Sequence, residues 1–188
     1  MYFINSNSGP NIQYFHPDGT PDRGTTHQGA SDDSCWARGQ AWLISGLPLS
    51  YKYTGDADMP ELFEKITNYY LNRLPEDYVP YWDLTFTSGD EERDSSAAAI
   101  ALCGILEMLS GMDDSIPNKE VYKNAVQHIV YSLHENYSTK DTPGSNGLLL
   151  HAVYGKPMNI GVDECNIWGC YYYMEALVRM IKGTRGYW

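Results

Sequence analysis

One pattern recurs three times in this chain, each time at the start of an apolar segment that has helical periodicity. It reads DSCW at residues 33–36, DSSA at 94–97 and DECN at 163–166, so it returns after roughly 65 residues. A more polar, amphipathic segment separates each apolar helix from the next. An αα-hairpin repeated at this period predicts a helical toroid or solenoid, because no single hairpin can bury its own apolar face.

Hydrophobic periodicity and helix-stop residues predict five helices. They lie near 34–54, 59–74, 95–111, 118–136 and 163–182, with stops at Gly55, Pro75, Gly111 and Gly183. Residues 1–33 are polar and rich in turn-forming residues, which predicts a loop-rich lead-in with short strand pairing around Ile12 to Phe15. Many small residues in the first and third helices permit the close helix approach of an inner ring in an α/α barrel. An ordinary helical bundle is the alternative that this pattern leaves open.

Length and charge exclude several classes of function. At 188 residues the chain has the size of one domain with a well-buried core. Its 13 Lys and Arg against 24 Asp and Glu give a net charge of −11, which argues against nucleic acid and anionic membranes as partners. The apolar run from Ala97 to Leu106 is too short to span a bilayer. Because the first residues lack the features of a signal peptide, we expect a cytoplasmic protein.

The distribution of His and Cys residues predicts neither a metal site nor a cofactor site. The five His residues are scattered and no Gly-rich phosphate loop occurs. The four Cys residues lack the paired spacing of a zinc site, and we expect them to be buried, reduced thiols. Cys165 and Cys170 are five residues apart, which on one helix would place them on different faces.

Residues 25–42 contain the most informative group of side chains. Trp36, Arg38 and Trp42 lie in a stretch with few other bulky apolar residues, and a single buried helix face cannot hold all three. A flat aromatic ring beside a guanidinium that can grip a carboxylate suits the binding of a uronic acid. The alternative reading is two core Trp residues with a surface or capping Arg.

Loop residues near this group are further candidates. His27 and Gln28 directly precede the first helix, and loops that enter barrel helices carry binding groups. A solvated loop His is the alternative. Asp32, Asp33 and Asp94 could be read as acid–base groups, but capping of the helix N-termini explains them better.

Three stretches of the chain resemble the unsaturated glucuronyl hydrolases of glycoside hydrolase family 88. These are residues 25–42, residues 80–83 (PYWD) and residues 161–173, which begin GVDECNIWG. The resemblance implies an all-α (α/α)6 barrel, of which residues 1–188 are the C-terminal part, about half of the toroid. Residues 1–33 are then the lead-in and 34–188 the helical hairpins. It also implies that the residues lining the sugar site are His27, Gln28, Trp36, Arg38, Trp42 and Tyr154.

The same resemblance implies a reaction. Family members release unsaturated (4,5-dehydro) glucuronic acid from lyase-generated oligosaccharides by hydrating the C4–C5 double bond. Their two central Asp residues lie in the N-terminal half, and no residue of this chain matches either. We therefore assign no catalytic residue and expect the 188 residues to be inactive alone. The alternatives are one half of a split enzyme, or a non-catalytic carbohydrate-binding or assembly module. The implied partners are the unsaturated uronic-acid oligosaccharide and a complementary N-terminal half, or a second copy through self-association.

Three positions depart from the family pattern. Cys170 stands where most relatives have Asp, Pro48 lies inside the first helix where Ala is usual, and Asn11 stands where a His is common. The Cys170 departure removes a carboxylate from the last of the three matching stretches. We expect Pro48 to kink its helix or to destabilise it by about 3 kcal/mol.

Overall fold

Five α-helices and a short antiparallel strand pair form the regular structure of the described residues. The computed structural model describes residues 12–111, 118–184 and 186, so Asn11 lies outside this part of the chain. The strands are β1 (Ile12–Phe15) and β2 (Pro21–Thr25). The helices are α1 (Ala37–Thr54), α2 (Asp58–Leu71), α3 (Ser95–Gly111), α4 (Lys119–Ser132) and α5 (Ile167–Lys182). None of the described helices is both long and apolar enough to cross a bilayer.

The helices form two hairpins and the first member of a third. α3 lies between α1 and α5, while α2 packs on α1 and α4 packs on α3. The three apolar helices predicted from the repeat are therefore neighbours in an inner row, and the two amphipathic ones lie outside them. This arrangement confirms the prediction of a partial α/α toroid.

The inner row is closely packed because small residues lie where its helices cross. Residues 95–105 of α3 are buried without exception. A Cβ atom on Gly104 would come within 2.5 Å of the carbonyl oxygen of Ile44, so the backbones of α1 and α3 nearly touch. This contact explains the small residues that the sequence places in these two helices.

The outer helices each bury one apolar stripe. α2 buries Phe63, Ile66 and Tyr70, at the spacing of one helix face. The Phe63 ring packs edge-on against Tyr122 of α4, with centroids 5.7 Å apart, so the two outer helices also touch. α4 continues into one π-helical turn at Leu133–Tyr137.

The starts of two inner helices differ from the prediction. α1 begins at Ala37 rather than at residue 34, because the backbone of Trp36 forms a β-bridge with Asp83. α5 begins at Ile167 rather than at residue 163, because Asp163 has a φ of 59° and Glu164 pairs with Ala152. These tertiary contacts hold both segments outside the helices.

Other predictions have mixed outcomes. The strand pairing around Ile12 to Phe15 is confirmed, and α3 has its predicted bounds. α2 ends at Leu71 rather than at residue 74. α1 continues through the buried Pro48 as one helix.

The prediction that all four cysteines are buried is correct for two of them and wrong for the other two. Cys35 and Cys103 are buried, whereas Cys165 and Cys170 are partly exposed. Cys165 precedes α5, so the expectation that these two lie on different faces of one helix was also wrong.

Candidate functional site

The N-terminal ends of the three inner helices meet at one place. Arg38 lies in the first turn of α1, Asp94 immediately precedes α3, and Trp168 lies in the first turn of α5. Helix N-termini carry partial positive charge, so three of them converging favour an anionic ligand.

Arg38 ties these ends together. Its side chain is 3% exposed, and Nη1 donates to Asp94 Oδ2 at 3.0 Å and to Ser96 Oγ at 3.3 Å. The guanidinium also donates to the carbonyl oxygen of Val153, and Nη2 donates to that of Tyr154 at 2.6 Å. Four protein oxygens therefore hold the guanidinium in one orientation.

Asp94 is the matching anchor on α3. Its side chain is fully buried, and Oδ1 accepts hydrogen bonds from Ser96 N at 3.1 Å and Ser96 Oγ at 2.5 Å. These bonds confirm the prediction that Asp94 caps its helix. Burial raises the pKa of Asp94, and the Arg38 guanidinium opposes that rise. The carboxylate therefore serves two structural partners at once.

Aromatic rings surround the Arg38 guanidinium. Its Cζ atom lies 4.8 Å from the ring centroid of Trp36, 5.5 Å from that of Trp168 and 5.9 Å from that of Tyr154. Tyr154 and Trp168 stack with centroids 5.7 Å apart and an interplanar angle of 16°. We call Trp36, Tyr154 and Trp168 the aromatic group.

Glycine at position 39 permits the position of Trp36. A Cβ atom on Gly39 would lie 2.6 Å from Cε3 of Trp36, so this ring lies directly against the backbone of α1. The side chain of Trp36 is partly exposed, and Tyr154 is 39% exposed, so both rings are open to a ligand.

A short hairpin carries Tyr154 over the helix ends. Its strands are joined by β-bridges between Ala152 and Glu164 and between Gly155 and Ile160. At its base His151 Nδ1 lies 2.6 Å from Asp163 Oδ1, and both residues have positive φ angles. Tight local pairing and the bonds from Arg38 therefore fix the backbone at Tyr154, and stacking on Trp168 orients its ring.

The loop that contains His27 and Gln28 reaches the same hairpin. Gln28 Nε2 donates to the carbonyl oxygen of Tyr154 at 2.5 Å, and His27 is exposed beside it. The fully buried Asp83 holds this loop, since its Oδ2 accepts from Ala30 N at 3.0 Å and Ser34 Oγ at 2.6 Å.

The capping prediction was wrong for the two Asp residues before α1. Asp32 Oδ1 instead accepts from Thr25 Oγ1 at 2.5 Å and Thr26 N at 2.9 Å, which fastens the lead-in loop. Asp33 is exposed and precedes Ala37, the first residue of α1, by four positions.

The structure brings together four of the six predicted site residues: Gln28, Trp36, Arg38 and Tyr154. Trp42 lies one turn beyond Arg38 on α1, where its ring packs edge-on against Tyr172 at 5.4 Å. Trp168 was missed, although it lies in the stretch that resembles the family. The signal that could have identified it is its position two residues after Asn166, the residue that caps α5.

Trp82, in the PYWD stretch, is a packing residue. It is buried, and its ring N–H donates to Glu91 Oε2 at 2.8 Å. Within residues 12–111, 118–184 and 186, no three His, Cys, Asp or Glu side chains are grouped so that they could hold a metal ion.

Comparison with known proteins gives one consistent family. The profile of Glycosyl Hydrolase Family 88 matches residues 14–184. An unsaturated chondroitin disaccharide hydrolase of Streptococcus pneumoniae is 52% identical over 178 residues, which are 93% of this chain and 45% of that protein. The crystal structure of unsaturated glucuronyl hydrolase from Bacillus sp. GL1 superposes with a TM-score of 0.93 at 39% identity, over 99% of this chain and 50% of that chain.

A structure with a bound sugar is also similar. It is a mutant unsaturated glucuronyl hydrolase from Streptococcus agalactiae complexed with dGlcA-GalNAc6S, with a TM-score of 0.88 at 51% identity over 97% of this chain and 49% of that chain. The chain thus spans about half the length of the relatives it matches.

Proposed function

Because the chain belongs to Glycosyl Hydrolase Family 88, we propose that it forms the sugar-binding side of an unsaturated glucuronyl hydrolase. The proposed substrate is a lyase-generated oligosaccharide that ends in 4,5-dehydro glucuronic acid, and the reaction is hydration of its C4–C5 double bond. The observation that carries this proposal is the aromatic group held around Arg38 at the convergent helix ends.

The geometry suggests how each side chain contributes. Trp36 and Tyr154 offer partly exposed ring faces to a sugar ring. Arg38 adds positive charge, but both of its terminal nitrogens, Nη1 and Nη2, already donate to protein oxygens. We assign it the task of orienting the two rings rather than of gripping the sugar carboxylate alone. Gln28 contacts the same hairpin with His27 exposed beside it, and Trp42, packed on Tyr172, stays a further candidate one turn along α1.

The chemical step needs groups beyond these. Hydration of a double bond requires a proton donor and a base that can reach the substrate. Asp94 is bonded to Arg38, which the aromatic group surrounds, but this carboxylate is fully buried and occupied by Arg38 and Ser96. The family resemblance puts the two catalytic Asp residues in the other half of the barrel. The 188 residues therefore bind the sugar without hydrolysing it on their own.

An exposed apolar stripe on α5 supports completion by further helices. Ile167, Tyr171, Met174 and Ile181 recur at helical spacing and are between 38% and 80% exposed. Exposed stripes of this kind mark interaction surfaces. Because the relatives are about twice as long, we propose that the complementary half of the barrel covers this stripe, whether it belongs to the same chain or to a separate one.

The first test uses an unsaturated chondroitin disaccharide. Its conjugated double bond absorbs ultraviolet light, and its binding can be followed by tryptophan fluorescence. We expect binding without loss of absorbance, and turnover once the N-terminal half of the Streptococcus pneumoniae relative is added. Turnover by the 188 residues alone would contradict the proposal that the catalytic residues lie in the other half of the barrel. Absence of both binding and complementation would instead favour a non-catalytic assembly module.

A pair of variants tests the site itself. Tyr154→Ala removes the stacked ring of the hairpin, and Tyr131→Ala removes an exposed ring from the outer helix α4. Loss of a ring contact worth about 1.4 kcal/mol weakens binding roughly tenfold, so we expect that change for Tyr154→Ala. Equal affinity of both variants and the wild type would place the sugar elsewhere.

A further inference from the structure

Two partly exposed cysteines lie together at the start of α5. Cys165 precedes the capping residue Asn166, and Cys170 lies in the first turn of the helix. Both point toward the backbone of Gly147. A Cβ atom at that position would lie 2.5 Å from the sulfur of Cys165 and 3.8 Å from the sulfur of Cys170. Because residue 147 is glycine, no side chain of that residue separates the two thiols.

The local environment suits thiol chemistry. The backbone N–H of Leu148 donates to the sulfur of Cys170 at 3.2 Å. The thiolate is the reactive form of cysteine, and its reaction with a small disulfide requires access to the sulfur. In contrast, Cys35 and Cys103 are 4% and 2% exposed, and burial raises the pKa of Cys103. The chain therefore contains an accessible pair of thiols and an inaccessible pair.

We propose that Cys165 and Cys170 are a redox-active dithiol that a small disulfide, such as oxidised glutathione, converts to an intramolecular disulfide. One cysteine thiolate attacks a glutathione sulfur, which breaks the glutathione disulfide and releases one glutathione thiolate. The second cysteine thiolate then attacks the mixed disulfide, forms the Cys165–Cys170 bond and releases the other glutathione. The two cysteines lose two electrons and two protons, and one oxidised glutathione becomes two reduced ones.

This crosslink acts on the segment that holds the aromatic group. It encloses Asn166, which caps α5, and Trp168, whose ring stacks on Tyr154. Oxidation would therefore fasten the start of α5 at the edge of the candidate site. The proposal depends on the positions of the two sulfurs and not on the proposed sugar substrate.

Peptide mass spectrometry of the whole folded chain tests the proposal. After incubation with oxidised glutathione and alkylation, chymotrypsin cleaves after Trp168, between the two cysteines. We expect two peptides that are joined by a disulfide, with Cys35 and Cys103 alkylated only after unfolding. In Cys165→Ser and Cys170→Ser, the remaining thiol of the pair should retain one glutathione, since nothing displaces it.

Two outcomes would overturn the proposal. One is a wild-type chain that carries glutathione on Cys165 or Cys170 without a crosslink. The other is a wild-type chain in which both thiols remain alkylatable at the rate of an unfolded control after the same incubation. Circular dichroism of the two Ser variants checks that they are folded, and the wild-type measurement stands without them.

Discussion

At the residue scale, the pair of Arg38 and Asp94 determines the geometry of the candidate site. Each side chain is almost fully buried, and burial of a charge is costly unless it is paired and hydrogen-bonded. The Asp94 carboxylate accepts hydrogen bonds from Arg38 and from the first residues of α3, so its charge is paired and hydrogen-bonded. The carbonyl oxygens of Val153 and Tyr154 accept from the other side of the guanidinium. The hairpin backbone that carries Tyr154 is thus positioned through Arg38 by a carboxylate at the start of another helix.

Asp94→Ala should therefore destabilise the chain strongly. Removing one partner of a buried pair costs about 3–5 kcal/mol, because an uncompensated charge is left behind. The control is Asp33→Ala, at the equivalent position of the first repeat, where the side chain is exposed and a change within about 0.5 kcal/mol is expected. Urea unfolding monitored by circular dichroism measures both. Similar losses in the two variants would contradict the assigned role of Asp94.

The same comparison has a defined pH dependence. Because burial raises the pKa of Asp94, the folded chain takes up this proton before the unfolded chain does as the pH falls. Protonation of Asp94 therefore increases the free energy of unfolding as the pH falls. This gain is lost as the pH rises through the raised pKa. The stability advantage of the wild type over Asp94→Ala should widen toward acid pH, beginning above the ordinary range of an aspartic acid and reaching its full size below that range. A narrowing advantage would mean that Arg38 outweighs burial.

At the element scale, the sequence predicts which helices exist better than where they begin. The three repeat openings identify the inner helices because each precedes a long apolar run with few polar residues. The starts of α1 and α5 are shifted by pairing of Trp36 with Asp83 and of Glu164 with Ala152, contacts that no local pattern contains. For the same reason Trp168 was missed, since its stacking partner lies in a separate hairpin.

The crossing of α1 and α3 gives a prediction with a matched control. A Cβ atom on Gly104 would lie 2.5 Å from the carbonyl oxygen of Ile44 and 2.7 Å from Cα of Ser45. Backbone atoms cannot turn aside as a flexible side chain can, so Gly104→Ala must separate the helices and should cost about 1–3 kcal/mol. Gly46→Ala, in α1, meets nothing within 4 Å and should stabilise the helix by about 0.5–1 kcal/mol. Thermal unfolding distinguishes these opposite signs, and a stabilising Gly104→Ala would contradict the close crossing.

At the scale of the whole molecule, two opposing features decide how the chain associates. The apolar stripe on α5 favours contact with other helices, whereas a net charge of −11 on each copy opposes contact between copies. At 0.1 M salt, repulsion between charges more than about 10 Å apart is largely screened. The apolar contact is not weakened by this screening. Without the complementary half, we therefore expect the chain to self-associate through α5, weakly at low salt and more strongly as the salt concentration rises.

Substitution on α5 tests whether the stripe is the surface involved. Ile167→Lys with Ile181→Lys places two positive charges on the stripe. Because these side chains are 72% and 80% exposed, the substitutions should affect folding little. They should weaken association, since a helix that packs on the stripe would have to bury the charges against apolar side chains. Val121→Lys on the outer helix α4, where Val121 is 52% exposed, is the control. In sedimentation velocity at two salt concentrations, the double variant should remain monomeric and the control should associate like the wild type. The same double variant should also fail to restore turnover with the N-terminal half of the relative. If both variants associate and complement as the wild type does, the complementary half must dock on another face of the inner row.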